Sequence, residues 1–466
     1  MGLSLYGLML RAGEAAFALA GQQYPHSTHW LVLCGHGNNG GDGYVIARLA
    51  RRAGIRVTLL AHRSDKPLPD EADQARAAWL SDGGLINDMA SDWPAGADLV
   101  IDGLLGTGLQ YAPRDAIAAV INRANAYPAP ILALDIPSGL LAESGATPGA
   151  VINAAETLTF ITLKPGLLTG KARDVVGQLH YDALGLNPWL AEQQAPISRD
   201  DATCLVHWLP PRQPTANKGD HGKLVIIGGD NGTAGAIRMT GEAALRAGAG
   251  LVRVLTRAEN IAPIVTARPE LMVHELTDDS LNAALAWADV VVIGPGLGQQ
   301  HWGKNALRKV ENFRKAMLWD ADALNLLAIN PDKRQNRVIT PHPGEAARLL
   351  NCTVAEIEND RLAASKRLVA RYGGTVVLKG AGTVIADAAS LSIADVGNAG
   401  MASGGMGDVL SGIIGALLAQ KLTPQAAARA GCVAHGAAGD AVACQSGMRG
   451  MLATDLFTTL YRFVNP

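Results

Sequence analysis

A chain of 466 residues is longer than one hydrophobic core supports, so it points to two or three domains. With 40 Lys and Arg against 42 Asp and Glu, a net charge of -2 and no block of like charge, it carries no footprint for nucleic acid or an anionic membrane. No apolar stretch is long enough to span a bilayer, and the N-terminus lacks a basic n-region, so neither a transmembrane segment nor a signal peptide is expected. MGLSLY at the start matches an acylation signal, but nothing else suggests a lipid anchor. Cys34, Cys204, Cys352, Cys432 and Cys444 are scattered without CxxC spacing and read as reduced core thiols of a cytoplasmic protein.

The apolar runs alternate with helical segments. Trp30–Gly37 (WLVLCGHG) is a short strand-like run ending in glycine, followed by a loop and an amphipathic helix. VTLLAH, DLVIDGLLGTG, PILALDIPSG and TLTFITL continue the series, separated by segments such as ADQARAAWLSDGG and RDAIAAVINRANA. This is the βαβα rhythm of a parallel sheet covered on both faces. It lapses in the polar, proline-containing stretch Leu186–Asp201 and resumes with KLVIIGG, RMTGEAALRAGAG, LVRVLT, DVVVIGPGLG, AMLWDAD, NRVITPHPGE and GTVVLKGAG. Two α/β domains are expected: residues 1–186, a linker over 187–201, and residues 202–466. The first is expected to be a Rossmann-like parallel-sheet domain.

The chemistry gathers where strands end. GHGNNGGDGYVIAR (Gly35–Arg48) places a glycine turn between a strand and a helix, the arrangement that brings backbone N–H groups against a pyrophosphate. It is not GxGxxG, because Asn38, Asn39 and Asp42 are interleaved; their side chains suit a ribose, a base or a monovalent cation. Asp102, Asp135 with Ser138, and Lys164 stand at three further strand ends, where open parallel sheets bind ligands. In the second domain, Asn398–Asp408 (NAGMASGGMGD) opens onto the helical run VLSGIIGALLAQK. A glycine-rich helix start presents unpaired N–H groups and the positive end of the dipole, and so binds anions. Asp408 there is either an N-cap or a general base beside a phosphate in transfer.

The combination GNNGGDG, DGLLGTG, LDIPSG and LKPG resembles the YjeF N-terminal family, the epimerases of hydrated NADH and NADPH. The second half, with GDHGKLVIIGGD, GAGLVRV, GPGLG, DADALN, TPHPGE, LKGAGT and NAGMASGGMGD, resembles the ribokinase-like ADP- or ATP-dependent NAD(P)H-hydrate dehydratases. Together they are similar, over essentially the whole chain, to bacterial repair enzymes that carry both activities. Against the family pattern, the chain starts almost at the LMLRAG helix, and Gly103 stands where alanine is usual. The first departure bears on the completeness of the epimerase pocket.

The resemblance implies roles residue by residue. Asn38, Asn39, Gly40, Gly41 and Asp42, with Gly106, Thr107, Gly108, Leu109, Gln110, Tyr111 and Ala112, would lie against the hydrated dinucleotide. Asn39, Asp102 and Ser138 would hold a potassium ion, and oxygen ligands suit such a hard cation. Asp135 would contact the substrate near its reacting carbon, and Asp135 and Lys164 are the acid/base candidates, with snorkelling as the plainer role for Lys164. In the second domain Ala236, Gly296 and His342 would line the hydrated nicotinamide. Lys379, Gly380, Ala381, Gly382, Thr383 and Gly407 would hold the nucleotide, and Asp408 would act as base. Asp320 and Asp322 either reach a magnesium ion accompanying the ADP donor or cap a turn. ADP over ATP and a homo-oligomeric state are expectations of the same resemblance. Two other readings stand beside it: a small-molecule kinase that stops at the phosphate ester, and a first domain that only binds.

Overall fold

The computed structural model describes residues 4–62, 64 and 66–466; Met1–Leu3, part of the MGLSLY run, lie outside them. The chain divides into two compact units, Met1–Ala195 and Pro196–Pro466. In the first, seven strands run β1 (His29–Cys34), β2 (Arg56–Ala61), β3 (Asn87–Asp88), β4 (Leu99–Gly103), β5 (Ile131–Leu134), β6 (Glu156–Phe160) and β7 (Gln178–Asp182). They lie in the order β3-β2-β1-β4-β5-β6-β7 and every pairing is parallel. The order reverses direction between β1 and β4, which opens a crevice at the strands' carboxyl ends.

Central strands of such a sheet are buried on both faces, and β1, β4 and β5 are buried throughout. The helix Leu5–Gln23 packs on the helix Asn38–Arg52 through small residues. A Cβ on Gly13 would overlap the Val45 side chain, and one on Gly41 would overlap the end of Met9. Trp30, Trp79 and Leu31 are fully buried, each such side chain contributing on the order of 1.5–3 kcal/mol relative to exposure.

The second unit carries a ten-stranded sheet: β8 (Ser198–Asp200), β9 (Lys223–Ile227), β10 (Leu251–Thr256), β11 (Met272–Glu275), β12 (Val290–Ile293), β13 (Ala316–Trp319), β14 (Arg337–Ile339), β15 (Thr375–Leu378), β16 (Thr383–Ala386) and β17 (Leu391–Ala394). The order is β11-β10-β9-β12-β13-β14-β15-β16-β17-β8, parallel except where β16 turns back against β15 and β17. The antiparallel β16 and β17 and the polar edge strand β11 (MVHE) are elements the apolar rhythm does not announce. Within the stretch read as a linker, Ser198–Asp200 pairs with β17 and Arg429 holds the buried Asp200 carboxylate. The helix Met406–Ala419 is buried from Val409 to Ala419, as its apolarity on every face requires.

The cysteines are free, but the core reading needs correcting for Cys444, which is exposed; Cys34 and Cys432 are buried and Cys204 and Cys352 half-buried. No helix among the described residues is long and apolar enough to cross a membrane.

Candidate active sites

In the first unit a cleft of about 800 Å³ opens at the carboxyl ends of β1, β4, β5 and β6. Gly35 sits so close to Leu104 that a Cβ would overlap its carbonyl, which allows the β1 and β4 loops to meet. The helix Asn38–Arg52 starts there, with Gly37 at its N-cap and no side chain capping it. Its free N–H groups therefore remain available to an anion. His36, Asn38, Asn39 and Asp42 line one wall, Leu104–Leu109 a second, and Asp135, Phe160 and Lys164 the floor; Leu5, Leu8, Met9 and Ala12 of the first helix complete it.

Asp135 follows β5 with φ of 63°, a left-handed conformation that is uncommon outside glycine. Its Oδ1 accepts from the Phe160 N–H at 3.1 Å, from the Thr159 hydroxyl at 3.3 Å and from the Lys164 ammonium. Lys164 Nζ also donates to Thr159 Oγ1 and the Phe160 carbonyl, each at 2.9 Å, so it does not snorkel over the sheet edge. Burial pushes the Asp42 carboxyl well above its usual range; Asp135 adds to this and Lys164 opposes it.

Beneath this floor, Asp102 is fully buried and accepts from the Ser138 backbone N–H at 2.8 Å, the Ser138 hydroxyl at 2.6 Å and the Leu104 N–H at 3.2 Å. Burial raises its pKa to about 6 against these hydrogen bonds. Asn39 donates through Nδ2 to the Leu105 carbonyl at 2.8 Å, while its Oδ1 is buried with no partner among the described residues. The Leu105 N–H in turn donates to Ser138 Oγ at 2.8 Å, so Asn39, Asp102 and Ser138 meet around one loop. Gly40 and Gly41 instead face inward for packing, since a Cβ on Gly40 would overlap the Gly35 carbonyl. Gln110, Tyr111 and Ala112 are exposed beyond the cleft wall.

In the second unit the candidate residues again follow strand ends. Asp320 follows β13, Lys379 follows β15, and Gly405, with φ of 91°, caps the helix Met406–Ala419. Asp408 is therefore the third residue of that helix. It is not the N-cap, and its carboxylate has no hydrogen-bond partner among the described residues. Burial, with help from Asp320 and against Lys379, raises its pKa to about 7. Lys379 Nζ donates to Asp320 Oδ1 at 2.8 Å, and Ser411 Oγ donates to Asp320 Oδ2 at 2.8 Å. Burial would lower the Lys379 pKa, but Asp320, Glu345 and Asp408 outweigh it and hold the ammonium charged. A Cβ on Gly407 would stand 3.3 Å from Lys379 Nζ, so the glycine leaves open the space above the ion pair.

Two residues of this cluster, Glu345 and Arg361, carry no assignment from sequence. Glu345 lies 4.0 Å from Lys379, and burial raises its pKa to about 7. Its carboxylate accepts the His342 N–H at 2.8 Å while His342 Nδ1 accepts from Gly344 N–H at 3.0 Å. The signal was legible as a capping box, His342-Pro-Gly-Glu345, with histidine at the cap. Arg361, fully buried, donates to the Leu378 and Lys379 carbonyls at 3.1 and 3.0 Å and fixes the LKGAG turn beneath Gly380. Asp322 is the first residue of the helix Asp322–Ile329 and does not cap it; its carboxylate instead holds the loop after β12, accepting from the Gly298 N–H at 2.8 Å and Gln299 Nε2 at 3.0 Å. Gly296 (φ 58°) accepts from the Asp230 N–H at 2.6 Å and the Thr233 hydroxyl at 2.9 Å, which places it beside the helix carrying Ala236.

Comparison with known proteins places both units in known families. Residues 5–166 match the family described as YjeF-related protein N-terminus, and residues 224–462 match the NAD(P)H-hydrate dehydratase family. The bifunctional NAD(P)H-hydrate repair enzyme of Escherichia coli (strain K12) is 74% identical over 100% of this chain and 91% of its own length. The Vibrio cholerae protein of the same name is 44% identical over 100% of this chain and 94% of its length. Among solved structures, the ADP/ATP-dependent NAD(P)H-hydrate dehydratase from Bacillus subtilis, co-crystallised with ATP/Mg2+, is 27% identical with a TM-score of 0.52. It covers 58% of this chain and 98% of its own. On the full-length match and on both family matches, the chain belongs to the bifunctional NAD(P)H-hydrate repair enzymes.

Proposed function

We propose that the chain interconverts the R and S forms of hydrated NADH and NADPH in its first unit and dehydrates the S form in its second. The donor is ADP, which leaves as AMP while phosphate is released. Hydroxide is a poor leaving group, and the phosphate ester of the same hydroxyl is a good one. Asp408 takes the hydroxyl proton as the terminal phosphoryl group of ADP transfers to that oxygen; the C–O bond then breaks with its electron pair leaving on phosphate, and loss of a proton from the adjacent ring carbon forms the C=C bond of the reduced nicotinamide. A base works best with a pKa near the working pH, and about 7 for Asp408 meets that condition. Lys379 and the N–H groups of Gly380–Thr383 and Gly407 hold the phosphates, with Arg361 stiffening the turn. Ala236, Gly296 and His342 face the hydrated ring. A magnesium ion bound with the nucleotide supplies charge neutralisation on its phosphates.

In the first unit Asp135 and Lys164 assist proton transfer as the epimerising carbon passes through a non-tetrahedral intermediate, and Asp42 on the adjoining wall is a third titratable group beside them. The orphaned Asn39 Oδ1, the buried Asp102 carboxylate and the Ser138 hydroxyl fit a potassium ion, whose charge offsets Asp42, Asp102 and the substrate pyrophosphate. The observation that carries the reading is Asp408, uncapped, half-buried and facing a lysine–aspartate pair at a helix N-terminus. Product analysis tests it: hydrated NADH with ADP should yield free phosphate and AMP in equal amounts. Accumulation of a stable phosphomonoester would instead identify a kinase.

A further inference from the structure

A second cleft, of about 390 Å³, lies beyond the reacting centre of the second unit, and none of its lining residues takes part in the reaction proposed there. Its walls come from the carboxyl ends of β10 and β11 and from the helix His301–Val310. Arg257, directly after β10, donates through Nε to Asp230 Oδ1 at 2.7 Å. The Asp230 N–H is bonded to the Gly296 carbonyl at 2.6 Å, so the cleft adjoins the turn placed against the hydrated ring. The Arg257 guanidinium lies over the Trp302 indole at 4.4 Å, and its remaining N–H groups have no protein acceptor among the described residues. Lys309 completes the cationic side, paired with the exposed Asp278 at 2.7 Å.

We propose that this cleft binds the adenylate half of the hydrated dinucleotide, an inference that rests on the dehydratase reading. The sheet order argues for the direction. On the dehydratase reading the ring lies by the loops after β9 and β12, which lead to Ala236 and Gly296, and the donor nucleotide by the loop after β15, which leaves the β10–β11 side of the sheet for the rest of a dinucleotide. From β12 to β11 is three strand spacings, ~14 Å, which an extended dinucleotide reaches. The volume suits a nucleotide half, the guanidinium suits a pyrophosphate, and the indole offers an apolar wall to a base.

The test compares hydrated NADH with hydrated reduced nicotinamide mononucleotide, which lacks the adenylate half, at saturating ADP. Wild-type enzyme should show a KM at least about tenfold higher for the mononucleotide hydrate, with similar kcat. Trp302→Ala should raise the KM for hydrated NADH roughly tenfold and leave both constants for the mononucleotide unchanged, which also reports that the variant is folded. Lys309→Ala gives the same readout if the tryptophan variant does not fold. Equal wild-type KM values for the two hydrates, or variants that impair both substrates alike, overturn the proposal while leaving the dehydratase reading intact. Wild-type enzyme that dehydrates neither compound overturns that reading, and this one with it.

Discussion

Replacing Asp408 by asparagine should abolish dehydration and at the same time stabilise the fold, and the two effects together separate a catalytic carboxylate from a structural one. On the rate side, removing a general base costs ~10²–10⁴-fold, or ~2.7–5.5 kcal/mol of barrier. On the stability side, the carboxyl titrates ordinarily at 3.8 and in the fold at about 7. Between these values the native state holds a proton that the unfolded state has lost, so stability falls as pH rises, and the loss is complete above pH 7. At ~1.36 kcal/mol per pH unit the ionised carboxylate would destabilise the fold by at most ~4 kcal/mol. Asparagine also deprives Lys379 of one of the carboxylates that hold it charged, so the expected net gain is smaller, about 1–2 kcal/mol. Thermal melting at pH 8 should therefore place the variant above wild type, with the gap closing as the pH approaches 4. A variant that melts lower than wild type at pH 8, or that dehydrates the S-hydrate near the wild-type rate, would refute the assignment.

Three further outcomes follow from named contacts. Asp135→Asn, chosen because asparagine tolerates φ of 63°, should leave the S-hydrate's dehydration intact and slow consumption of the R form to its spontaneous rate; chromatography of the two epimers reads this. Epimerase activity should rise when potassium replaces a bulky organic cation at constant ionic strength, and Asp102→Ala should erase the response; full activity without potassium contradicts the cation site. Gly40→Ala, which drives a methyl into the Gly35 carbonyl, should cost about 2 kcal/mol or more in denaturant melts. Gly21→Ala, on an exposed helix face with nothing near its Cβ, should instead gain ~0.5–1 kcal/mol; similar losses for both would undo the packing argument.

What was legible in the sequence was whatever repeats locally. Glycine turns at strand ends, the βαβα rhythm and the apolar helix after Asp408 all show within a few residues of one another, and each lies in the structure where its pattern put it. What was not legible depends on pairing across the chain. Nothing near Lys379 says that its ammonium meets Asp320, 59 residues away, or that Arg361 supports its turn. Glu345 completes a capping box whose other partner is a histidine, and its approach to Lys379, 34 positions later in the chain, has no local sign. Asp408 could be told from an N-cap only once Gly405 was seen in the left-handed conformation three residues earlier. The antiparallel β16 and β17 are four residues each and too short to advertise a change of direction.

The central claim is that two sites in one chain return both epimers of the hydrate to the reduced cofactor at the expense of ADP. The direct measurement is the recovery of reduced-nicotinamide absorbance from a mixture of R and S hydrates on adding enzyme and ADP. Complete recovery is expected in a single course, faster than spontaneous epimerisation, with one phosphate released per cofactor restored. Recovery that halts at the S share, or phosphate release without any return of absorbance, would contradict it.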